Sequence, residues 1–272
     1  MIRRMTNKTD PIGIFDSGIG GLTVAQAIVT QLPKEDIVYF GDTAHMPYGE
    51  KSTSAIQAYS VKIADMLLKQ HCKLILIACY SATSAAFDLV KEYVGTQATV
   101  MNVIDPMVHH IEQHYANKRL GLIGTRQTVN SNVYKKKIDT LNNGVQLNSL
   151  ATNLLASAIE EFGDNNVIDS LLAEYLSHHS LKEIEALILA CTHYPVVKNK
   201  IAQYFNHRIT IIDPSYVVAE AVTKRLEADK LLNEKGLGHK HFYVSDYTES
   251  FASGTKIFFE EKINLEHYPL WE

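Results

Sequence analysis

Little in this chain points outward. Three cysteines among 272 residues cannot all pair, and a chain of this length buries enough core to need no disulfide staples. Neither C-x-x-C nor H-E-x-x-H occurs, and the 12 histidines do not gather into ligand sets, so no metal is expected. No apolar run reaches the length of a membrane span. The start, Met1-Ile2-Arg3-Arg4-Met5-Thr6-Asn7-Lys8, has charge but lacks the apolar stretch of a signal peptide. Neither sign of charge dominates, with 26 Lys and Arg against 30 Asp and Glu; this gives no sign of nucleic-acid or membrane-surface binding. Lys135-Lys136-Lys137 reads as a solvated helix face. Low-complexity segments and Pro/Gly/Ser-rich tethers are missing too. What is left is a soluble, cytoplasmic protein with reduced thiols and one large or two modest domains.

Short apolar runs alternate with amphipathic segments from end to end. Strands are expected at 12–15, 37–40, 74–78, 99–103, 120–123, 186–190, 209–212 and 242–244. Most are continuous rather than alternating, as in parallel strands buried on both faces. Helical periodicity marks 21–31, 54–69, 83–93, 129–141, 166–177 and 217–232. Strand–helix alternation argues for doubly wound α/β layers. Ligands in such sheets bind beyond the carboxyl ends of strands, so the residues just after each strand carry the chemical reading.

Two cysteines end nearly matching words. Ile75-Leu76-Ile77-Ala78-Cys79 is echoed by Leu187-Ile188-Leu189-Ala190-Cys191, each with a hydroxyl residue close behind (Ser81, Thr192). The copies lie far apart in the chain, so they are assigned to different domains, 1–97 plus 213–272 and 98–212. A thiol needs help to ionise. His193 is placed to help Cys191, and Asp16, at the end of the first strand, to steady or accept from Cys79. Cys72 precedes its strand, at the wrong edge for a site, and is read as structural.

Other strand ends are polar. Phe15-Asp16-Ser17-Gly18-Ile19-Gly20-Gly21-Leu22 opens a helix with glycines that admit close approach and with free N–H groups suited to an anion. It is neither a Rossmann fingerprint nor a P-loop. Gly41-Asp42-Thr43-Ala44-His45-Met46-Pro47-Tyr48-Gly49 is either a simple turn or the wall of a polar pocket. Gly124-Thr125-Arg126-Gln127-Thr128 gathers hydroxyls and amides suited to a carboxylate, with Thr128 as a candidate helix cap. Glu160 and Glu161 end an apolar stretch and are either exposed helix acids or part of a site.

On these motifs the chain resembles the glutamate racemases, of the aspartate/glutamate racemase family. The carriers are 14–24 with its Asp-Ser-Gly-Ile-Gly-Gly core, Gly41-Asp42-Thr43-Ala44 with Pro47-Tyr48-Gly49, and Cys191-Thr192-His193-Tyr194-Pro195. The resemblance implies two pseudo-twofold-related α/β domains with mainly parallel sheets and an active site in the cleft between them. It implies Cys79 and Cys191 as acid/base thiols, assisted by Asp16 and His193. Ser17, Pro47, Tyr48, Gly49, Tyr80, Ser81, Thr125, Thr128, Glu160 and Thr192 would meet substrate. The implied reaction is cofactor-independent interconversion of L- and D-glutamate for peptidoglycan precursors, by a homodimer. Two departures stand out. Cys79-Tyr80-Ser81 occupies the place of the usual Cys-Asn-Thr, and Ala151-Thr152-Asn153-Leu154 lacks the usual Cys-Pro. Two rival functions fit the residues: a Cys191–His193 thiol hydrolase, and a non-catalytic binder of acidic amino acids.

Overall fold

Uninterrupted Ile, Leu, Val and Phe runs make strands that bury both faces, and helices joining them turn the chain back for the next parallel strand. The computed structural model describes residues 6–163 and 165–272. Of the charged start at residues 1–8, residues 1–5 lie outside the described residues. Ten strands follow in order: β1 (Ile12–Asp16), β2 (Ile37–Gly41), β3 (Leu74–Ile77), β4 (Thr99–Asn102), β5 (Arg119–Gly124), β6 (Gln146–Ala151), β7 (Ala186–Ala190), β8 (Thr210–Ile212), β9 (Lys240–Val244) and β10 (Leu265–His267).

They form two sheets, β10-β9-β2-β1-β3-β4 and β6-β5-β7-β8. Every pairing is parallel. Leaving aside β9 and β10, each sheet has the order second-first-third-fourth. β3 and β7 are therefore equivalent strands, and the two cysteine words occupy equivalent places. Phe15 pairs with Ile77, and Gly124 pairs with Ala190. This register brings Ser17 level with Cys79 and Thr125 level with Cys191.

β4, which follows Gln97, pairs with β3 in the first sheet. The chain crosses after Asn102, through the helix Asp105–His114, into β5. It returns at Asp213, which caps the helix Pro214–Ala228 by accepting from the Ser215 amide. That helix packs on the helix Leu22–Gln31. β6 and β10 are unsignalled in the sequence. β6 is a largely exposed edge strand, and β10 spans only three residues. The helix expected at 129–141 is two pieces, Arg126–Asn130 and Val133–Asp139, split by Asn132 at φ +55°. Asn accepts that left-handed conformation more readily than most residues.

One apolar cluster runs through both sheets, with Ile14 and Leu76 from the first and Leu122 and Ile188 from the second. A second covers the other face of the first sheet and contains Phe15, Phe40, Ile75 and Cys79. Cys72 packs beneath Gly13, where an added Cβ would sit 2.8 Å from its Sγ. Burial pushes the Cys72 thiol up to about 12, consistent with an inert packing role. Among the described residues, no helix is long and apolar enough to cross a membrane.

At the amino edge of the first sheet lies a buried ion pair. Lys73 Nζ donates to Glu35 Oε2 at 2.5 Å, to the Lys8 carbonyl at 2.6 Å and to the Leu231 carbonyl at 2.9 Å. Glu35 Oε1 accepts the Asn233 amide at 2.8 Å. This pair joins the start of the chain to the segment entering β9. Lys73→Ala strands a carboxylate in the interior and is expected to cost roughly 3–5 kcal/mol. Lys135→Ala, which breaks the exposed pair with Asp139, should cost under about 1 kcal/mol. Denaturant midpoints at constant m-value check the contrast.

Candidate active site

The carboxyl ends of β1, β3, β5 and β7 converge on one cavity. Its lining takes Ser17, Pro47, Tyr48, Gly49, Cys79, Tyr80 and Ser81 from the first sheet's loops, and Thr125, Ala156, Cys191, Thr192 and His193 from the second's. It is small and partly open to solvent. Both sulfurs border it, one from each sheet. Both cysteines are 5% exposed.

The two thiols are held differently. Cys79 caps the helix Tyr80–Val94, and its Sγ accepts from the Ala82 amide at 3.4 Å. Its thiol donates to Ser17 Oγ at 3.6 Å. Burial, reinforced by the negative charge of Asp16, pushes the thiol up to about 12 despite these donors. Asp16 makes no hydrogen bond to Cys79. Its Oδ2 accepts from the amides of Gly18 and Gly21 at 3.1 and 3.0 Å, while Oδ1 is buried without a partner. The glycine turn thus spends amides on Asp16 instead of on a ligand. Burial holds the Asp16 carboxyl above the usual range, against the opposing pull of His193 and the turn amides.

Cys191 has a nitrogen partner. Its Sγ lies 3.7 Å from His193 Nδ1, and His193 Nε2 lies 2.8 Å from Glu160 Oε2. Burial opposes charge on this imidazole, but bonds to Cys191 and Glu160, with their negative charge, prevail and lift it well above the usual histidine range. An imidazolium in this place donates from both nitrogens. Glu161 is exposed, so Glu160 is the acid that faces inward. It stands behind His193 rather than on the cavity wall, and its Oε1 is buried without a partner.

Hydroxyls bridge the sheets. Ser81 Oγ lies 2.9 Å from Thr125 Oγ1, which lies 3.0 Å from Thr128 Oγ1. Thr125, not Thr128, is the helix cap, accepting the Thr128 amide. Thr128 supports the lining from behind. Thr23 Oγ1 donates across the cleft to the Thr192 carbonyl at 2.9 Å. Tyr80 is 4% exposed and faces both the cavity and the apolar cluster. Burial above all holds its phenol well above the usual tyrosine range.

Several contributors lie outside the sequence reading. Ala156 completes the wall. Phe258 stands edge-on to His193 with ring centroids 5.3 Å apart. Thr23 and Gly20 sit inside a motif whose role had seemed to be anion binding. An added Cβ at Gly20 would lie 2.4 Å from His193 Cε1 and 2.5 Å from Nδ1; that glycine serves the imidazole. His45 stays half-buried against Asp42 and away from the cavity. Among the described residues, no cluster of three or more His, Cys, Asp or Glu is disposed to hold a metal ion.

Parallel sheets of matching order, with a cavity where their carboxyl ends meet, place the chain among the two-sheet α/β proteins that bind at strand ends. Residues 12–222 match the family model for Asp/Glu/hydantoin racemases. A glutamate racemase of Caldanaerobacter subterraneus is 36% identical over 256 residues, 93% of this chain and 92% of the relative. The crystal structure of the Francisella tularensis glutamate racemase with D-glutamate superposes with a TM-score of 0.89 at 37% identity, covering 97% of this chain and 99% of that one. A glutamate racemase isoform from Bacillus anthracis gives 0.91 at 29% identity, covering 97% and 99%. This chain belongs to the Asp/Glu/hydantoin racemase family.

Gly20→Ala must displace the His193 ring and is expected to lower turnover on the order of a hundredfold. Gly18→Ala meets only the flexible Met46 side chain, at 3.4 Å, a contact that can yield, and should stay within about threefold of the parent. Steady-state rates on the two variants check this. Glu160→Gln removes a negative partner, so the His193 imidazole should titrate at lower pH. The raised folded value contributes stability that is full below about pH 6.5 and is lost as pH rises through it. The variant should lose that contribution at lower pH than the parent, which imidazole NMR and pH-dependent unfolding both read.

Proposed function

We propose that this protein interconverts L- and D-glutamate by two-base chemistry, without a cofactor, to supply D-glutamate for peptidoglycan precursors in the cytoplasm. One observation carries the reading: two thiols from equivalent strands of two sheets border a single cavity. One thiolate removes the α-proton, and the thiol of the other cysteine protonates the opposite face. The roles exchange in the reverse direction. The two sheets are read as two domains, with crossings after Asn102 and at Asp213, and a homodimer belongs to the proposal on family resemblance alone.

The unliganded site favours one starting state. Cys191 and Glu160 lift His193 well above the usual histidine range, and an imidazolium beside Cys191 steadies a thiolate there, so Cys191 is assigned as the proton acceptor. Cys79, its thiol pushed up to about 12, is the donor. In reverse, Cys79 must lose its proton. The ammonium group of an amino acid brings into the cavity the positive charge that favours this. Ser17, Ser81, Thr125 and Thr192 offer hydroxyls to the substrate's carboxylates, and the amide of Ala82 supports the sulfur of Cys79. A buried cavity strengthens each of these bonds as negative charge develops at the α-carbon.

A hydrolase reading needs only Cys191 and His193, and a binder needs neither thiol to react. In deuterated water, the parent enzyme should turn L-glutamate to racemate and place deuterium at the α-carbon. Cys79→Ala and Cys191→Ala should each reduce racemisation by about 10²–10⁴-fold or more. Cys79→Ala with turnover intact contradicts two-base catalysis, and a parent that binds glutamate without exchange contradicts an enzyme. Aspartate should be run in parallel, because Tyr80 in place of asparagine alters the wall that grips substrate.

A further inference from the structure

We infer that Trp271, the penultimate residue, is a positioning residue for the substrate cavity, acting through the buried carboxylate of Asp42. This rests on the racemase reading for its kinetic effect, though not for the geometry. Asp42 follows β2 and is wholly buried. Its Oδ2 accepts the Tyr48 hydroxyl at 2.6 Å. Its Oδ1 accepts Ser245 Oγ at 2.7 Å and Trp271 Nε1 at 2.8 Å. His45 Nδ1 lies 3.0 Å from Oδ2. One carboxylate thus gathers the substrate loop, the end of β9 and the C-terminus.

The loop it holds is part of the cavity. Tyr48 is fully buried, and Pro47, Tyr48 and Gly49 form one wall. The tail is delivered to this loop in fixed register. β10 pairs with β9, and the Tyr268 amide donates to the Val244 carbonyl beyond it. Tyr268 stands edge-on to Phe40 and Tyr243. The indole then meets His45 edge-on at 4.6 Å and Tyr59 at 5.4 Å, with the Lys62 ammonium 4.7 Å above its ring. It remains partly exposed, its ring packed against the second apolar cluster. Its one polar atom goes to Asp42. A hydrogen bond to a buried carboxylate is among the strong ones, and its loss leaves Ser245 and His45 alone to hold the acid that orients Tyr48.

Trp271 is absent from the cavity lining that contains both thiols. Losing its N–H should therefore weaken substrate binding more than chemistry, raising KM with kcat little changed. Trp271→Phe keeps a ring against His45 and Tyr59 and deletes only the donor. It is expected to raise KM for glutamate on the order of tenfold, the usual effect of losing a hydrogen bond to a charged group, with kcat within about twofold (a shift confined to ground-state binding). Trp271→Ala should do the same, and free indole should restore part of the lost affinity. The chain has one tryptophan, so its fluorescence reports this contact alone. D- or L-glutamate should shift the emission of the parent. Unchanged KM in Trp271→Phe together with unmoved emission overturns the proposal. So does a loss of activity that only follows the folded fraction and that indole does not restore. A parent that shifts emission with glutamate but never racemises it overturns the racemase reading and leaves the latch standing.

Discussion

The site depends on one close approach. The glycine turn after β1 presses against His193 from the loop after β7, and only a residue without a side chain fits at Gly20. The Thr23–Thr192 hydrogen bond fastens the same seam. These contacts join the carboxyl ends of two sheets that share no strand. They also fix the imidazole between Cys191 and Glu160. Widening the seam would separate the sulfurs and unseat the imidazole together. The strand order, repeated in both sheets, is what makes the juxtaposition useful, since it presents equivalent strand ends to a shared space.

Within that symmetric frame the electrostatics are asymmetric. Cys79 faces burial and the charge of Asp16, with a hydroxyl and amides as its help. Cys191 has an imidazole partner, backed by a carboxylate. In the proposed two-base inversion one group acts as acid while the other acts as base, and the unequal surroundings of the two cysteines suit that division. The unpartnered oxygens of Asp16 and Glu160 lie where polar groups are costly to leave unpaired. Such cost is borne mostly at functional sites.

The sequence carried much of this, and its gaps have physical causes. Continuous apolar runs announced the parallel strands, because burial on both faces leaves no alternation to hide. The repeated Ile/Leu-Ala-Cys words marked equivalent strands for the same reason. β6 escaped notice because an edge strand with exposed Gln146, Asn148 and Ser149 has little apolar signal. β4 lies at the sheet's edge and is only partly buried, so its composition does not declare which sheet it joins. Asp16 was read toward Cys79, but a side chain's hydrogen-bond partner depends on turn geometry that spacing does not encode. Trp271 and Phe258 gave no local cue, since their partners Asp42 and His193 are distant in the chain.

The central claim is that one α-carbon lies between the sulfurs of Cys79 and Cys191. A crystal structure of the enzyme with glutamate tests it most directly. The account expects the α-carbon between the two sulfurs, each roughly 3–3.5 Å away in the reactive arrangement. A glutamate whose α-carbon approaches one sulfur alone, with the other facing its side chain or packed protein, would contradict it.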